Sequence, residues 1–327
     1  MEEGTFVIQT ILGPVSKEEF GFCHSHEHIF LADGHPATVN PVLRIDDYDL
    51  SIRELKLFKS VGGQALIDAQ PLGCGRMENY LAAASKESGI NIVASTGFHK
   101  MSFYDKNHWI HYYTEDQLSQ IFIRELTVGM FVNTDHAIPS ETISLKAGNI
   151  KIAYDEERRA DHEKKWFMAA ARACLETGFP IMCHVESTRQ GMEISQFFMK
   201  QGVPPHCLII CHMDRTLDEL NLHKELAEMG IYLEYDTIGR FKYHNDEEEA
   251  ELLLLMEESR FISQILIGLD TTRARLKSYG GQIGLDYIQE SFIPLLRKTG
   301  LSNESIRQIT VNNPAEAFSK KNNKKVM

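Results

Sequence analysis

Basic residues are in short supply in this chain: 34 lysines and arginines face 46 aspartates and glutamates, for a formal charge of -12 at pH 7. Such a balance repels phosphate backbones and anionic lipid alike, which argues against nucleic acid or a membrane surface as a partner. Long apolar runs are also missing, so no segment is expected to cross a bilayer. Met1-Glu2-Glu3-Gly4-Thr5 has neither the basic nor the apolar stretch of a secretory leader, and a cytoplasmic protein is expected. The six cysteines (Cys23, Cys74, Cys174, Cys183, Cys207, Cys211) show no C-x-x-C pairing. That spacing argues against a zinc ribbon or a disulfide framework and leaves most of them as small buried residues. No linker or shift of composition divides the chain, so residues 1–327 read as one large domain with ordinary globular hydrophobicity.

What the sequence does contain is organised around Phe22-Cys23-His24-Ser25-His26-Glu27-His28-Ile29. Alternation along a strand lets His24, His26 and His28 share one face, and two imidazoles at a strand end make half of a metal site. Eight short apolar, β-rich runs follow one another, at 20–26, 65–70, 91–96, 149–153, 180–184, 207–212, 231–236 and 264–270. They alternate with helical patterns, which predicts parallel β-α units closing into a (β/α)8 barrel. Residues 5–20 read as a small hairpin, Thr5–Thr10 and Leu12–Val15, about a Gly-Pro turn. Helices are predicted over 156–177, ended by Gly178, and over 214–229, with Leu217, Leu220, Leu222, Leu226 and Met229 on one buried stripe and Gly230 after it. The long connections 29–60 and 97–148 follow strand C-termini, where a barrel places its active-site mouth.

Chemistry-bearing residues collect at those same strand ends: His26 and His28 on the first strand, Lys151 on the fourth, His184 on the fifth, His212 on the sixth and Asp270 on the eighth. Ten of the 14 histidines lie elsewhere, so position rather than residue type carries the signal. In Asn149-Ile150-Lys151-Ile152-Ala153, alternation turns Lys151 into the barrel if the two isoleucines face helices. A lone ammonium there is strongly unfavourable. Either it pairs with Asp270 or another carboxylate, or it reacts with carbon dioxide to give an anionic carbamate that can bridge two cations. Cys183 and Cys211 adjoin ligand-type histidines, and alternation directs both away from the site, against helices.

Taken in order, Gly21-Phe22-Cys23-His24-Ser25-His26-Glu27-His28-Ile29, Ile150-Lys151-Ile152, Cys183-His184, Ile210-Cys211-His212 and Gly268-Leu269-Asp270 resemble the motif series of the phosphotriesterase family of the amidohydrolase superfamily. The likeness spans nearly the whole chain, including the opening hairpin and Thr310-Val311-Asn312-Asn313-Pro314-Ala315. It implies a TIM barrel holding two divalent metal ions. His26, His28 and Asp270 would hold one, His184 and His212 the other, with carbamylated Lys151 between them. Zinc is the first expectation; manganese, cobalt and iron suit the same ligands. The resemblance further implies a bridging hydroxide as nucleophile and Asp270 as the catalytic residue that moves the proton to the leaving oxygen. By the same alignment His24 is not a ligand, although alternation would make it a neighbour of the site. The family expectation is also a homodimer, with Trp109-Ile110 and Tyr112-Tyr113 as interface, lid or core.

The loops after strands seven and eight hold Arg240, Lys242 and Tyr243, then Arg273, Arg275, Lys277 and Tyr279, a basic patch in an acidic protein. Barrels often bind phosphate there. The competing reading pairs Arg240 and Lys242 with Asp246, Glu247, Glu248 and Glu249. The pattern is similar to the family branch that opens phosphorylated sugar lactones, and by that likeness Lys242, Arg275, Tyr279 and Arg273 would contact the phosphate of a small-molecule substrate. Thr96-Gly97-Phe98-His99 departs from the branches that act on organophosphates and acyl-homoserine lactones. The expected activity is hydrolysis of a pentono-1,4-lactone 5-phosphate. The alternatives are non-phosphorylated lactones or organophosphate esters, and a barrel that has lost catalysis and only binds metal or sugar phosphate. The Lys320, Lys321, Lys324, Lys325 tail reads as a frayed end.

Overall fold

A computed structural model describes residues 7–154 and 161–321. Strands β1 (Val7–Thr10) and β2 (Gly13–Ser16) form an antiparallel hairpin. Its turn falls at Ile11-Leu12 rather than at Gly13-Pro14. Pro14 instead lies opposite Gln9 within the second strand, a place an edge strand tolerates. The expected residues Thr5 and Phe6 lie outside the described stretch.

Eight parallel strands then follow in strict neighbour order: β3 (Cys23–Glu27), β4 (Ala65–Asp68), β5 (Asn91–Gly97), β6 (Asn149–Ala153), β7 (Ile181–His184), β8 (Leu208–Ile210), β9 (Tyr232–Tyr235) and β10 (Ile265–Ile267). Each coincides with one of the eight sequence runs. The seam between β10 and β3 is closed by the Ser25 hydroxyl donating to the Ile267 carbonyl at 2.8 Å and the Asp270 N–H donating to the His26 carbonyl at 2.9 Å. The result is a nearly closed TIM barrel.

Each strand is followed by a helix that covers it: α1 (Tyr48–Ser60), α2 (Glu78–Ser88), α3 (Glu115–Thr127), α4 (Asp161–Thr177), α5 (Thr188–Lys200), α6 (Leu220–Glu228), α7 (Asp246–Glu258) and α8 (Ile293–Thr299). Period-two alternation sorts the strand residues into two apolar layers. Ala65, Ile67, Val93, Met182, Ile209 and Leu266 fill the barrel, and Leu66, Ile92, Ile150, Ile152, Leu208 and Ile210 face the helices. Ile8 of the hairpin and Phe20, Ala317 and Phe318 join the inner layer and floor the barrel.

Helix α4 ends as expected, with Gly178 at φ +77 donating its N–H to the Cys174 carbonyl. Its expected beginning, 156–160, lies outside the described residues. The helix expected over 214–229 is shorter. The chain first makes a tight turn over Met213–Arg215, and α6 starts only at Leu220. His223, Leu226 and Ala227 are its buried residues, while Met229 is exposed and Leu217, Leu220 and Leu222 are half-buried. The long connections contribute structure of their own: Trp109 and Ile110 are core residues, and Tyr112 is exposed. Lys321 is not frayed, because its ammonium reaches the Glu316 carboxylate at 3.1 Å, and the Lys320 N–H donates to Val7.

Candidate active site

Three local departures from ideal strand geometry assemble the site. In β3, Cys23 points into the barrel and His24 outward, where its ring lies 4.5 Å from that of Phe58 on α1. The register with β4 then slips between His24 and Glu27. This bulge resets the alternation, so His26 swings to the mouth while His24 stays behind, donating to or accepting from Glu27 at 2.8 Å. The expectation that His24 shares the face of His26 is therefore corrected.

At β8 the alternation places Ile209 inward, Ile210 outward and Cys211 inward. Cys211 thus lines the barrel, 3.5 Å from the Lys151 ammonium, contrary to the expectation that it packs against helices; Cys183 does pack there. His212 would point outward by the same count. Its left-handed backbone, φ +62, turns the ring into the mouth. Asp270 is turned in by a similar conformation, φ +46.

The carboxylates missed by sequence reading sit on β9 and at the residue that follows it. In Leu233-Glu234-Tyr235-Asp236, two acids at alternate positions of an apolar strand were the signal available. Both are fully buried. Asp236 Oδ2 lies 2.8 Å from His26 Nδ1 and Oδ1 2.6 Å from His212 Nδ1, and Glu234 Oε2 lies 2.9 Å from His26 Nδ1. These acceptors fix a proton on Nδ1 of both imidazoles and turn Nε2 of each toward the mouth; His212 presents a lone pair there, while at His26 burial and Lys151 are outweighed by Glu234 and Asp236, which raise the ring well above its ordinary value. At His184 the relation is reversed: Nε2 faces Glu186 Oε1 at 2.9 Å, leaving Nδ1 bare.

The two bare nitrogens, His212 Nε2 and His184 Nδ1, face each other at 2.7 Å. Burial disfavours a proton on either ring: it pushes His212 down to about 3, against the pull of Asp236, and His184 well below its ordinary value with help from His212. Two buried lone pairs at that distance suit a shared cation. His26, His28 and Asp270 make a second such group, with ligand atoms all within 4.8 Å of one another. His28 Nε2 lies 3.5 Å and His26 Nε2 3.7 Å from Asp270 Oδ1. The donor set is therefore fit to hold two metal ions.

Lys151 is fully buried and points inward, as the alternation of its isoleucine neighbours requires. Its Nζ is 3.3 Å from His26 Nε2. Among the described residues no carboxylate lies within ion-pairing distance of it, so of the two readings the ion pair with Asp270 or another carboxylate is not seen. Gly97, at φ +96, runs so close beneath that a Cβ would sit 1.9 Å from the Lys151 carbonyl oxygen. Only glycine fits there.

Asp270 pairs instead with Arg240, at 2.9 Å, with Arg215 at 4.0 Å beyond. Burial raises the Asp270 carboxyl, but Arg240 and the surrounding imidazoles outweigh it and hold the group well below the usual carboxylate range. Arg240 therefore does not pair with the acids of α7. The mouth itself is a cavity of about 130 Å³, lined by these ligand residues together with Gln70, His99, Lys100, Phe103, Arg240 and Thr272.

The four expected phosphate contacts divide. Lys242 and Arg275 line a cleft of about 600 Å³ that shares Asn40, Arg240 and Thr272 with the mouth. Arg275 also donates to the Leu269 and Ile238 carbonyls, bracing the two loops. The Tyr279 hydroxyl is committed to Ser51 at 3.0 Å and the Asp47 carbonyl at 2.8 Å, away from the cleft lining. Arg273 lies over the Tyr279 ring at 5.3 Å and is exposed. The structure does not bring these last two to the site.

If Asp236 orients His26 and His212, Asp236→Ala should weaken metal retention by about 10- to 100-fold, the usual effect of removing a carboxylate behind a ligand imidazole. Competition with a calibrated chelator measures this, and unchanged affinity would assign Asp236 to packing alone.

Eight β/α units with imidazoles and a carboxylate converging at the C-terminal mouth define the class: a barrel hydrolase of the amidohydrolase type. The chain belongs to the phosphotriesterase family, which matches residues 6–318. It is 30% identical over 328 residues to a phospho-furanose lactonase of Mycoplasmopsis synoviae (strain 53), covering 96% of this chain and 93% of the relative. Among solved structures, an amidohydrolase from Mycoplasma synoviae superposes with a TM-score of 0.91 at 28% identity, over 97% of this chain and 93% of the other. A phosphotriesterase homology protein from Escherichia coli, solved with phosphate in its active site, gives 0.82 at 27% identity, over 92% and 99%. No described helix is long and apolar enough to cross a membrane.

Proposed function

We propose that this phosphotriesterase-family hydrolase is a lactonase that opens a phosphorylated sugar lactone, a pentono-1,4-lactone 5-phosphate, with two divalent metal ions in its mouth. His26, His28 and Asp270 would hold one ion, His184 and His212 the other, and Lys151, as a carbamate, would lie between. When bound, the ions would make a water nucleophilic at neutral pH and polarise the lactone carbonyl. The chain's own groups supply the rest. Asp236, Glu234 and Glu186 keep the lone pairs of the imidazoles turned inward. Arg240 keeps Asp270 ionised, and a carboxylate that weakly basic takes up a proton only to surrender it readily to the far more basic alkoxide leaving the ring.

The observation that carries the phosphorylated substrate is the continuity of the mouth with the cleft of Arg240, Lys242 and Arg275. Burial and the nearby Arg240 lower Arg275 to about 10, so it is still charged at neutral pH and in repulsion with its neighbour. A phosphate dianion between such groups relieves that repulsion. The phosphate reported in the Escherichia coli relative and the phospho-furanose named for the Mycoplasmopsis one support the same chemistry.

Pentono-1,4-lactone 5-phosphates should turn over at least about a hundredfold faster than the same lactones without phosphate, a difference of roughly 2.7 kcal/mol in the transition state. Lys242→Ala should erase most of that preference while sparing the unphosphorylated series. A pH-indicator assay on manganese- or zinc-loaded protein decides it. Equal rates for both series would remove the phosphate site and leave an unphosphorylated-lactone or ester hydrolase.

A further inference from the structure

A second buried cluster lies away from the mouth, beneath the loop that joins β9 to α7. Asp214 enters it from the turn after β8, Thr237 from the end of β9, His244 from the loop, and Glu249 from the first turns of α7. All four are buried. One ligand atom from each of Asp214, His244 and Glu249 lies within 4.8 Å of the others.

Proton accounting shows what is missing. The Thr237 N–H donates to Asp214 Oδ2 at 2.6 Å. The Thr237 hydroxyl is 2.7 Å from that same oxygen and 2.9 Å from His244 Nε2, and its single proton can serve only one of them. His244 Nδ1 is 3.0 Å from the Asn245 carbonyl, which can only accept, so the ring proton is on Nδ1 and Nε2 presents a lone pair. Nε2 faces Glu249 Oε2 at 3.8 Å. With both carboxyls ionised, Asp214 Oδ1 and both oxygens of Glu249 have no hydrogen-bond partner; only a proton on one of them would let Glu249 and Asp214 bond to each other. With both carboxylates ionised the cluster is thus a closed pocket of acceptors with almost no donors, which costs several kcal/mol unless a bound cation or a shared proton fills it. Two further carboxylates act on Glu249 and are already engaged: Asp246 by the Gly239 N–H and the Tyr287 hydroxyl, and Asp236 by His26 and His212.

We propose that Asp214, His244 and Glu249 bind a divalent cation at a site separate from the barrel mouth. Two carboxylates and one imidazole suit zinc or manganese, and small side-chain shifts bring their atoms to the usual metal distances of about 2.0–2.2 Å. The ion ties the turn after β8, the β9 loop and α7 together. Because the Gly239 N–H donates to Asp246 at the start of α7, that tie extends to the loop holding Arg240 beside Asp270.

The test is zinc content per chain, measured by elemental analysis on metal-stripped full-length protein that is reloaded with zinc and desalted. Glu249→Gln keeps the side chain's size and removes a ligand charge. It should hold one zinc fewer than wild type, whatever number the mouth holds, and should lose part of the zinc-dependent rise in melting temperature. His28→Asn, altered only in the mouth, should keep that part of the rise, so a failure of the lactonase reading is distinguishable from a failure of this one. If Glu249→Gln does not fold, His244→Gln, which leaves both carboxylates in place, should show the same single-ion deficit. Equal zinc content in wild type and whichever variant folds would overturn the site and leave a proton shared between the Asp214 and Glu249 carboxyls.

Discussion

Asp270→Asn is expected to lower kcat for lactone opening by about a thousandfold, within the 10²–10⁴ range typical of a positioned acid-base group, while KM changes little. Asparagine keeps the shape of the side chain and one oxygen for the Oδ1 position near His26 and His28, but it cannot receive a proton. It also leaves the Arg240 guanidinium, 2.9 Å from Oδ2, without its counter-charge. Steady-state kinetics on protein with verified metal content separates the two effects. A loss under tenfold at full metal loading would remove the proton-transfer role from Asp270. Arg240→Ala should restore none of the loss in the double variant, since the two residues act as one unit.

Lys151→Met should lose at least about a hundredfold in both metal retention and rate. Methionine preserves the length and the apolar stem that packs inside the barrel, so the fold should persist. A free ammonium at Nζ would be a poor neighbour for two metal ions: it sits 3.3 Å from the nitrogen that His26 would offer to one of them. Burying such a charge unpaired costs several kcal/mol. Carbamylation would remove the positive charge and supply two oxygens sharing one negative charge, which would turn the same position from repulsive to ligating. Protein exchanged with carbon-13 bicarbonate should show a carbamate carbon resonance that Lys151→Met lacks. Retention of full metal content and rate by Lys151→Met would eliminate the carbamate.

The phosphorylated-substrate reading and the metal reading fail independently. A barrel that binds both ions and opens unphosphorylated lactones keeps its catalytic ligands and loses only the cleft assignment. A barrel that binds no metal loses the hydrolytic mechanism, whatever the cleft holds. The branch of the family is therefore decided by Lys242 and Arg240, and the reaction class by His184, His212 and their partners.

Much of this was legible from the chain alone, because period-two burial is a local property. Each strand run, from 65–70 to 264–270, carries its own alternation, and Ile150 and Ile152 are enough to turn Lys151 inward. Helix ends marked by glycine, such as Gly178, are local too. Where the structure departs from the sequence pattern, a local rule is overridden by something the pattern does not encode. His24 was grouped with His26 because the bulge in β3 leaves no mark on hydrophobicity. The left-handed turn at His212 is invisible in a sequence of apolar and polar letters, and it is why His212 reaches the mouth although alternation gives the inward parity to Cys211. Tyr279 and Arg273 looked like phosphate contacts because they are basic or hydroxylated and close in sequence to Arg275. Their side chains instead meet Asp47, Ser51 and each other.

By itself the sequence determined the eight-fold β/α order, the inward or outward facing of most strand residues, and the set of imidazoles, lysine and aspartate at the strand ends, since each depends on neighbours two to four positions away. Tertiary structure alone decided which carboxylate stands behind which imidazole, which arginine faces Asp270, and which acids meet out of water at Asp214 and Glu249. Those pairings join residues tens to hundreds of positions apart, and only barrel closure, which fixes strand order and stagger together, brings them within a hydrogen bond's reach.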